Sequence, residues 1–156
     1  MAHLYFAYGS NLSEDQMRMR CPGSRLLGNA RLPGYSLAFT AYSKRREGGV
    51  ADIIESPLSS VWGLVYELTD DDLNALDGFE CCPGFYERIE VRVKADAPMT
   101  AWAYTIVGKE GHVQPADDYI GLIIEGAKEH GFPSEYVRLI RSIGEGTSTD
   151  TQSEGH

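Results

Sequence analysis

The spacing of apolar positions changes along the chain, and each change marks an expected element. Residues 4–8, Leu-Tyr-Phe-Ala-Tyr, form a short unbroken apolar run stopped by Gly9-Ser10-Asn11, the pattern of a buried strand ending in a tight loop. Ser13 and Gln16 have capping-box spacing ahead of Met17 and Met19, and Pro22-Gly23 closes the segment, so a helix follows the loop. Residues 34–68 are rich in Val, Ile, Tyr, Phe and Trp, interrupted at Glu47-Gly48-Gly49 and Ser56-Pro57, which predicts strands near 35–42, 50–55 and 61–68. Thr69 is an expected N-cap, with Asp70, Asp71 and Asp72 in the first turn and Leu73 and Leu76 facing inward. Ile89, Val91 and Val93 alternate with charged residues, and Trp102, Tyr104 and Ile106 alternate with smaller ones, predicting two half-buried strands. After Pro115, Ile120, Ile123, Ile124 and Ala127 recur at helical spacing, Gly131 is an expected stop, and Pro133 opens a last short helix. The fold class is therefore α+β, with helices around a mostly antiparallel sheet. Periodicity alone does not say whether that sheet closes into a barrel.

Length and charge narrow the setting. A chain of 156 residues can bury a core without a metal or disulfide staple, and one domain over residues 1–144 is expected, with 145–156 read as a small, polar, disordered tail. No apolar stretch approaches the roughly 18 residues of a membrane span and the first residues do not form a signal peptide, so the expected location is the cytoplasm, off the membrane. The net charge of −9 opposes nucleic-acid binding. The one basic cluster, Lys44-Arg45-Arg46, precedes Glu47-Gly48-Gly49 and reads as a solvated hairpin tip. The sequence does not decide the oligomeric state, a homodimer included.

Two stretches carry candidate chemistry. In Tyr8-Gly9-Ser10-Asn11-Leu12, a strand turns through glycine into a helix and leaves backbone N–H groups for an anion, with Ser10 or Asn11 adding directed bonds. Simple capping by Ser and Asn explains the same residues. The second is Glu80, just past a predicted helix among Phe79, Cys81, Cys82, Phe85 and Tyr86, where poor solvation would raise its pKa for proton transfer. An exposed loop glutamate fits the local sequence as well. Cys21, Cys81 and Cys82 have no zinc spacing and no thiol–histidine motif beside them, so no metal site and no cofactor are expected.

Taken together, these stretches resemble the γ-glutamyl cyclotransferase family, which includes plant proteins named for avirulence-induced genes. The resemblance rests on Tyr5-Phe6-Ala7-Tyr8-Gly9-Ser10-Asn11-Leu12, Val61-Trp62-Gly63-Leu64-Val65-Tyr66, Leu76-Asp77, Glu80, Pro83, Tyr86, Arg88 and Gly126-Ala127-Lys128-Glu129-His130-Gly131. It implies a small β-barrel flanked by helices, with Glu80 as acid/base. It makes Tyr5, Phe6, Ala7, Tyr8, Gly9, Ser10, Asn11 and Leu12 the substrate-gripping loop and Tyr119 a further substrate contact. The implied reaction converts a γ-glutamyl amino acid into 5-oxoproline and the free amino acid. A γ-glutamylamine- or glutathione-directed cyclotransferase and a non-catalytic glutamyl-binding module are the alternatives. One departure stands out: the family usually has glycine after the catalytic glutamate, and this chain has Cys81.

Overall fold

The computed structural model describes residues 2–82 and 84–146. The elements run β1 (His3–Ala7), a 3-10 turn (Ser10–Leu12), α1 (Glu14–Arg20), β2 (Arg25–Ser43), β3 (Gly48–Leu68), α2 (Asp70–Phe79), β4 (Tyr86–Lys94), β5 (Pro98–Ile106), α3 (Asp117–Glu129) and α4 (Ser134–Gly144). The strands close into a barrel in the order β1-β3-β2-β4-β5. Its pairs are antiparallel except β1 with β5, joined in parallel at Tyr5↔Trp102. The tail expected from residue 145 lies, from residue 147 on, outside the described residues.

The sheet departs from the expected strands in two places, both on one long ribbon. β2 begins at Arg25 rather than near residue 35, and β3 runs unbroken where two strands were expected. The residues that argue locally against a strand sit at its irregularities. Gly28 follows the register shift at Leu26, and Pro33 borders the shift to Tyr35. Pro33 pairs with Ser60 and Tyr35 with Glu55, so residues 56–59 bulge opposite Gly34 alone. Pro57, which has no N–H to donate, falls where the ladder is already open, and a bulge of this kind bends the ribbon as closure of a barrel demands.

The register also corrects a facing. Residues directly opposite in an antiparallel ladder share a face. Ile89 pairs with Ala103 and Val91 with Ala101, while Trp102 pairs with Glu90 and Tyr104 with Arg88. Trp102 and Tyr104 thus lie on the other face from Ile89 and Val91. Ala101, Ala103, Tyr104, Thr105 and Ile106 are all buried, so β5 is covered on both faces rather than half-buried.

The helices begin and end as their terminal residues dictate. Thr69 Oγ1 accepts from Asp72 N–H (3.1 Å) and Asp72 Oδ2 accepts from Thr69 N–H (3.4 Å), completing a capping box on α2. At the start of α1, Ser13 Oγ accepts from Gln16 N–H at 3.2 Å, but the Gln16 side chain turns away to Ser10 and Asn11. α3 closes in a Schellman motif: Phe132 N–H donates to Ala127 C=O (3.0 Å), Gly131 N–H to Lys128 C=O (3.1 Å), and Gly131 takes φ +70°. Gly126 lets α3 lie directly on the 3-10 turn, because a Cβ there would come within 2.6 Å of the Leu12 Cβ. The turn is therefore held from outside the barrel by a helix.

A fully buried acid ties the two sides of the barrel together. Asp52 on β3 accepts from Thr40 Oγ1 (2.8 Å) on β2 and from Thr105 Oγ1 (2.9 Å) and Ile106 N–H (3.0 Å) on β5, besides its neighbour Ile53 N–H (2.8 Å). Lys109 Nζ lies 2.8 Å away, and the Asp52 side chain has no exposed surface. A buried charge with this many donors is tolerated, whereas donors stripped of their acceptor cost about 1–3 kcal/mol each. Asp52→Ala is expected to lose about 2–4 kcal/mol of stability, measured as a lower urea midpoint with an unchanged slope.

Candidate active site

The end of α2 aims Glu80. Cys82 N–H donates to Asp77 C=O (2.8 Å) and Cys81 N–H to Gly78 C=O (3.1 Å), a second Schellman motif in which Glu80 is the C-cap and Cys81 takes φ +54°. That left-handed position favours glycine, which explains why a family glycine belongs there and what Cys81 must tolerate. Glu80 is no exposed loop residue, its side chain being 15% exposed. Its nearest cation is Arg20, with Nη1 3.5 Å from Oε2, and Arg20 in turn lies over the Phe79 ring. The separation is too long for a tight pair. Burial raises the Glu80 pKa, and Arg20, Arg45 and Arg46 only partly oppose that rise.

The loop residues meet Glu80 unevenly. Tyr5, Tyr8, Gly9, Ser10, Asn11, Glu80 and Tyr119 line one inner pocket, together with Ala51, Tyr86 and Tyr104. Phe6, Ala7 and Leu12 do not line it: each is fully buried in the core, where they fix the strand and turn that carry the others. Asn11 is partly committed: one amide proton and the amide oxygen are used within the protein, and the second Nδ2 proton is left for a ligand. Its Nδ2 donates to Tyr5 Oη (2.9 Å), and its Oδ1 accepts from Gln16 Nε2 (2.8 Å). The 3-10 turn uses the N–H groups of Leu12 and Ser13 internally, on Gly9 C=O and Ser10 C=O at 3.0 Å each. Gly9 suits a close approach, since a Cβ there would come within 3.1 Å of the Ala51 Cβ, tighter than an ordinary contact.

Which hydroxyl protons can reach a ligand follows from the hydrogen bonds already made. Tyr8 Oη donates to Tyr104 C=O (2.6 Å), Tyr86 Oη to Ala51 C=O (2.6 Å), and Tyr104 Oη to Asp77 Oδ1 (2.5 Å). Tyr5 and Tyr119 differ. Tyr5 Oη accepts from Asn11 and Tyr119 Oη accepts from Ala51 N–H (2.9 Å), so each keeps its own proton to donate. Burial pushes the Tyr119 phenol up to about 12 and raises Tyr5 as well, which keeps both protonated.

Beside the inner pocket, and sharing Ser10, Glu80, Tyr86 and Tyr119 with it, opens an outer chamber of about 300 Å³. The basic hairpin tip borders it. Arg46 is only partly exposed there: its guanidinium lies 5.2 Å over the Tyr119 ring and donates to Gln16 Oε1 (3.0 Å). Arg20, Arg46, Tyr86 and Tyr104 received no site role from sequence, although Gln16 and Arg20, four apart on α1, share a helix face. Cys21 is unsuited to nucleophilic work, because burial pushes its thiol up to about 12. Among the described residues, no group of three or more His, Cys, Asp or Glu could hold a metal ion, and no helix is long and apolar enough to cross a membrane.

A small closed barrel with a poorly solvated carboxylate facing a strand-to-helix loop defines a class of pocket suited to acid/base chemistry on a polar small molecule. A family model described as gamma-glutamyl cyclotransferase, AIG2-like, matches residues 5–121, and the chain belongs to that family. It is 37% identical to a Bos taurus gamma-glutamylcyclotransferase over 147 residues, 90% of this chain and 78% of the relative. It is 35% identical to the Homo sapiens gamma-glutamylcyclotransferase, covering 97% of this chain and 84% of that one. A solved structure named gamma-glutamyl cyclotransferase superposes with TM-score 0.86 at 34% identity, over 91% of this chain and 88% of the other.

Two outcomes follow from the end of α2. Removing the guanidinium in Arg20→Gln is expected to raise the Glu80 pKa further, since the carboxylate loses its nearest cation and keeps its burial. Carboxyl carbon chemical shifts followed against pH would register the move. Cys81→Gly is expected to stabilise the fold by about 0.5–1 kcal/mol, the relief of a left-handed side chain less the added freedom of the unfolded chain, whereas Cys81→Val is expected to destabilise it; thermal unfolding of the three proteins distinguishes them.

Proposed function

We propose that this chain converts γ-glutamyl amino acids into 5-oxoproline and the free amino acid, with Glu80 as the acid/base. One observation carries the reading: Glu80 lies where the inner pocket meets the outer chamber, shielded from water and only loosely paired. The glutamyl unit takes the inner pocket and the leaving amino acid the outer chamber, which brings the scissile amide beside the carboxylate. The relatives named gamma-glutamylcyclotransferase support the same chemistry. A place in glutathione turnover in the cytoplasm accords with it.

The reaction needs no external nucleophile. The substrate's α-nitrogen attacks its own δ-carbonyl carbon, a C–N bond forms to close the five-membered lactam, and the original amide C–N bond breaks. The attacking nitrogen passes from ammonium to lactam N–H and gives up two protons. The departing nitrogen passes from amide N–H to ammonium and takes up two. A single carboxylate between them relays these protons and ends in its starting state. A raised pKa suits Glu80 to both halves of the transfer, as base to the ammonium and as acid to the leaving nitrogen. Tyr5 and Tyr119, with uncommitted hydroxyl protons, donate to the δ-oxygen as negative charge develops there. The Ser10 hydroxyl, which accepts from Gln16 Nε2 (2.7 Å), keeps its proton for the α-carboxylate, beside the loop N–H groups. Holding the folded conformer is itself worth much of the barrier, up to about 7–11 kcal/mol in well-aligned intramolecular reactions.

The test is incubation with γ-glutamyl dipeptides, glutathione and ε-(γ-glutamyl)-lysine, with 5-oxoproline as the readout and the dipeptides expected to react fastest. Glu80→Gln is expected to bind a dipeptide while losing at least about 10²-fold in kcat. Wild-type activity is expected to fall as pH drops through the raised Glu80 pKa, because the protonated acid cannot accept the first proton. Binding of γ-glutamyl ligands with no 5-oxoproline formed would overturn the enzyme reading in favour of a binding module.

A further inference from the structure

The outer chamber is charged in a way that the cyclotransferase reaction does not require. Arg20, Lys44, Arg45 and Arg46 line it, and among the described residues Glu80 is its only acidic lining residue, in a chain whose net charge is −9. Two of these cations already have work. Arg20 faces Glu80 and Asn11, and Arg46 is fixed over Tyr119 with bonds to Gln16 and Ser10. Lys44 and Arg45 make no ion pair among the described residues and are exposed on the hairpin tip between β2 and β3. The positive charges stand close enough to act on one another: burial first, then Arg45 and Arg46, pull the Arg20 pKa down, against the opposing pull of Glu80. Concentrated cations on a low-dielectric wall, here the rings of Phe79, Phe85, Tyr86 and Tyr119, focus the local field toward anions.

Resting on the proposed reaction, we propose that this chamber selects γ-glutamyl conjugates whose leaving amino acid is itself acidic, as in γ-glutamyl-glutamate and γ-glutamyl-aspartate. Lys44 and Arg45 are the specificity-determining residues. Any leaving amino acid brings one α-carboxylate, for which a single cation suffices. A glutamate or aspartate leaving group brings a second carboxylate, and the unpaired Lys44 and Arg45 supply the charge to meet it. A lysine leaving group would place an ammonium against the same cations.

The experiment compares kcat/KM for 5-oxoproline release from γ-glutamyl-glutamate, γ-glutamyl-glutamine and γ-glutamyl-lysine. Glutamine keeps the shape of glutamate and removes its charge. The acidic substrate is expected to exceed the glutamine one by about 10-fold at low ionic strength, with the lysine one lowest. The advantage is expected to shrink at about 0.5 M salt, where the Debye length falls to a few ångströms. In a Lys44→Gln/Arg45→Gln variant the acidic-to-glutamine ratio is expected to fall to about 2-fold or less. Both positions are exposed, and the wild-type salt dependence provides a test independent of the variant's folding. Equal rates for the acidic and glutamine substrates, or a ratio that survives in the variant, would overturn the charge selection and leave the cyclotransferase reading standing. No 5-oxoproline from any of the three would overturn that reading and the charge selection with it.

Discussion

The pair of backbone hydrogen bonds that closes α2 determines where Glu80 stands, and much of the molecule is arranged around that fixed point. Inserting or deleting one residue within α2 would turn the carboxylate by about 100° around the helix axis. The left-handed residue that the closure demands sends the chain sharply away from Glu80, and the chain re-enters the sheet at Tyr86. Asp77, within the same helix end, accepts from Tyr104 and pairs with Arg88 at 3.0 Å, which ties the carboxylate's platform to β4 and β5. The capping box at the other end, and Asp72 reaching to Gly23 N–H at 3.3 Å, hold α2 against the start of β2. Movement of Glu80 therefore needs the helix, its caps and the barrel wall to move together.

The barrel supplies the second half of the site through phenols. Five tyrosines from β1, the loop after it, β4, β5 and α3 converge on the inner pocket. Three have their protons committed to protein acceptors and act as struts. The other two are acceptors from protein donors and so present protons inward. This division is set by which backbone or amide group meets each oxygen, and it cannot be rearranged without orphaning a buried polar group.

Much of this was legible in the chain because the signals are local. Thr69 with Asp72, Gly131 after a helical stripe, and the Tyr-Gly-Ser-Asn-Leu turn each carry their geometry in a few neighbouring residues. Glu80 became readable only when joined to that turn, since nothing local distinguishes it from a surface glutamate. Where the reading failed, long-range pairing overrode local preference. Gly28, Pro33 and Pro57 look like strand breakers, and the barrel uses them as bends. Phe6, Ala7 and Leu12 belong to the motif as scaffold, and a sequence motif does not separate residues that touch a ligand from residues that place those that do. Arg46 looked like solvent-facing charge because its partners, Tyr119 and Gln16, lie far away in sequence. Asp52 gave no signal at all: a lone acid among valines and isoleucines reveals its purpose only when Thr40, Thr105 and Lys109 are brought to it.

The single parallel contact that closes the barrel has a consequence for how the chain acquires its site. β1 precedes the other four strands along the chain, yet its neighbours are β3 and β5, and its register with them joins Tyr5 to Tyr66 and to Trp102. The β2–β3 ribbon and the β4–β5 hairpin form from contacts near in sequence, which close at little entropic cost. β1 completes its pairing only when both are present. The Gly9-Ser10-Asn11 turn rides on the end of that strand, so the pocket is assembled at the last step of closure, and a chain that has not completed its barrel carries Glu80 with nothing opposite it.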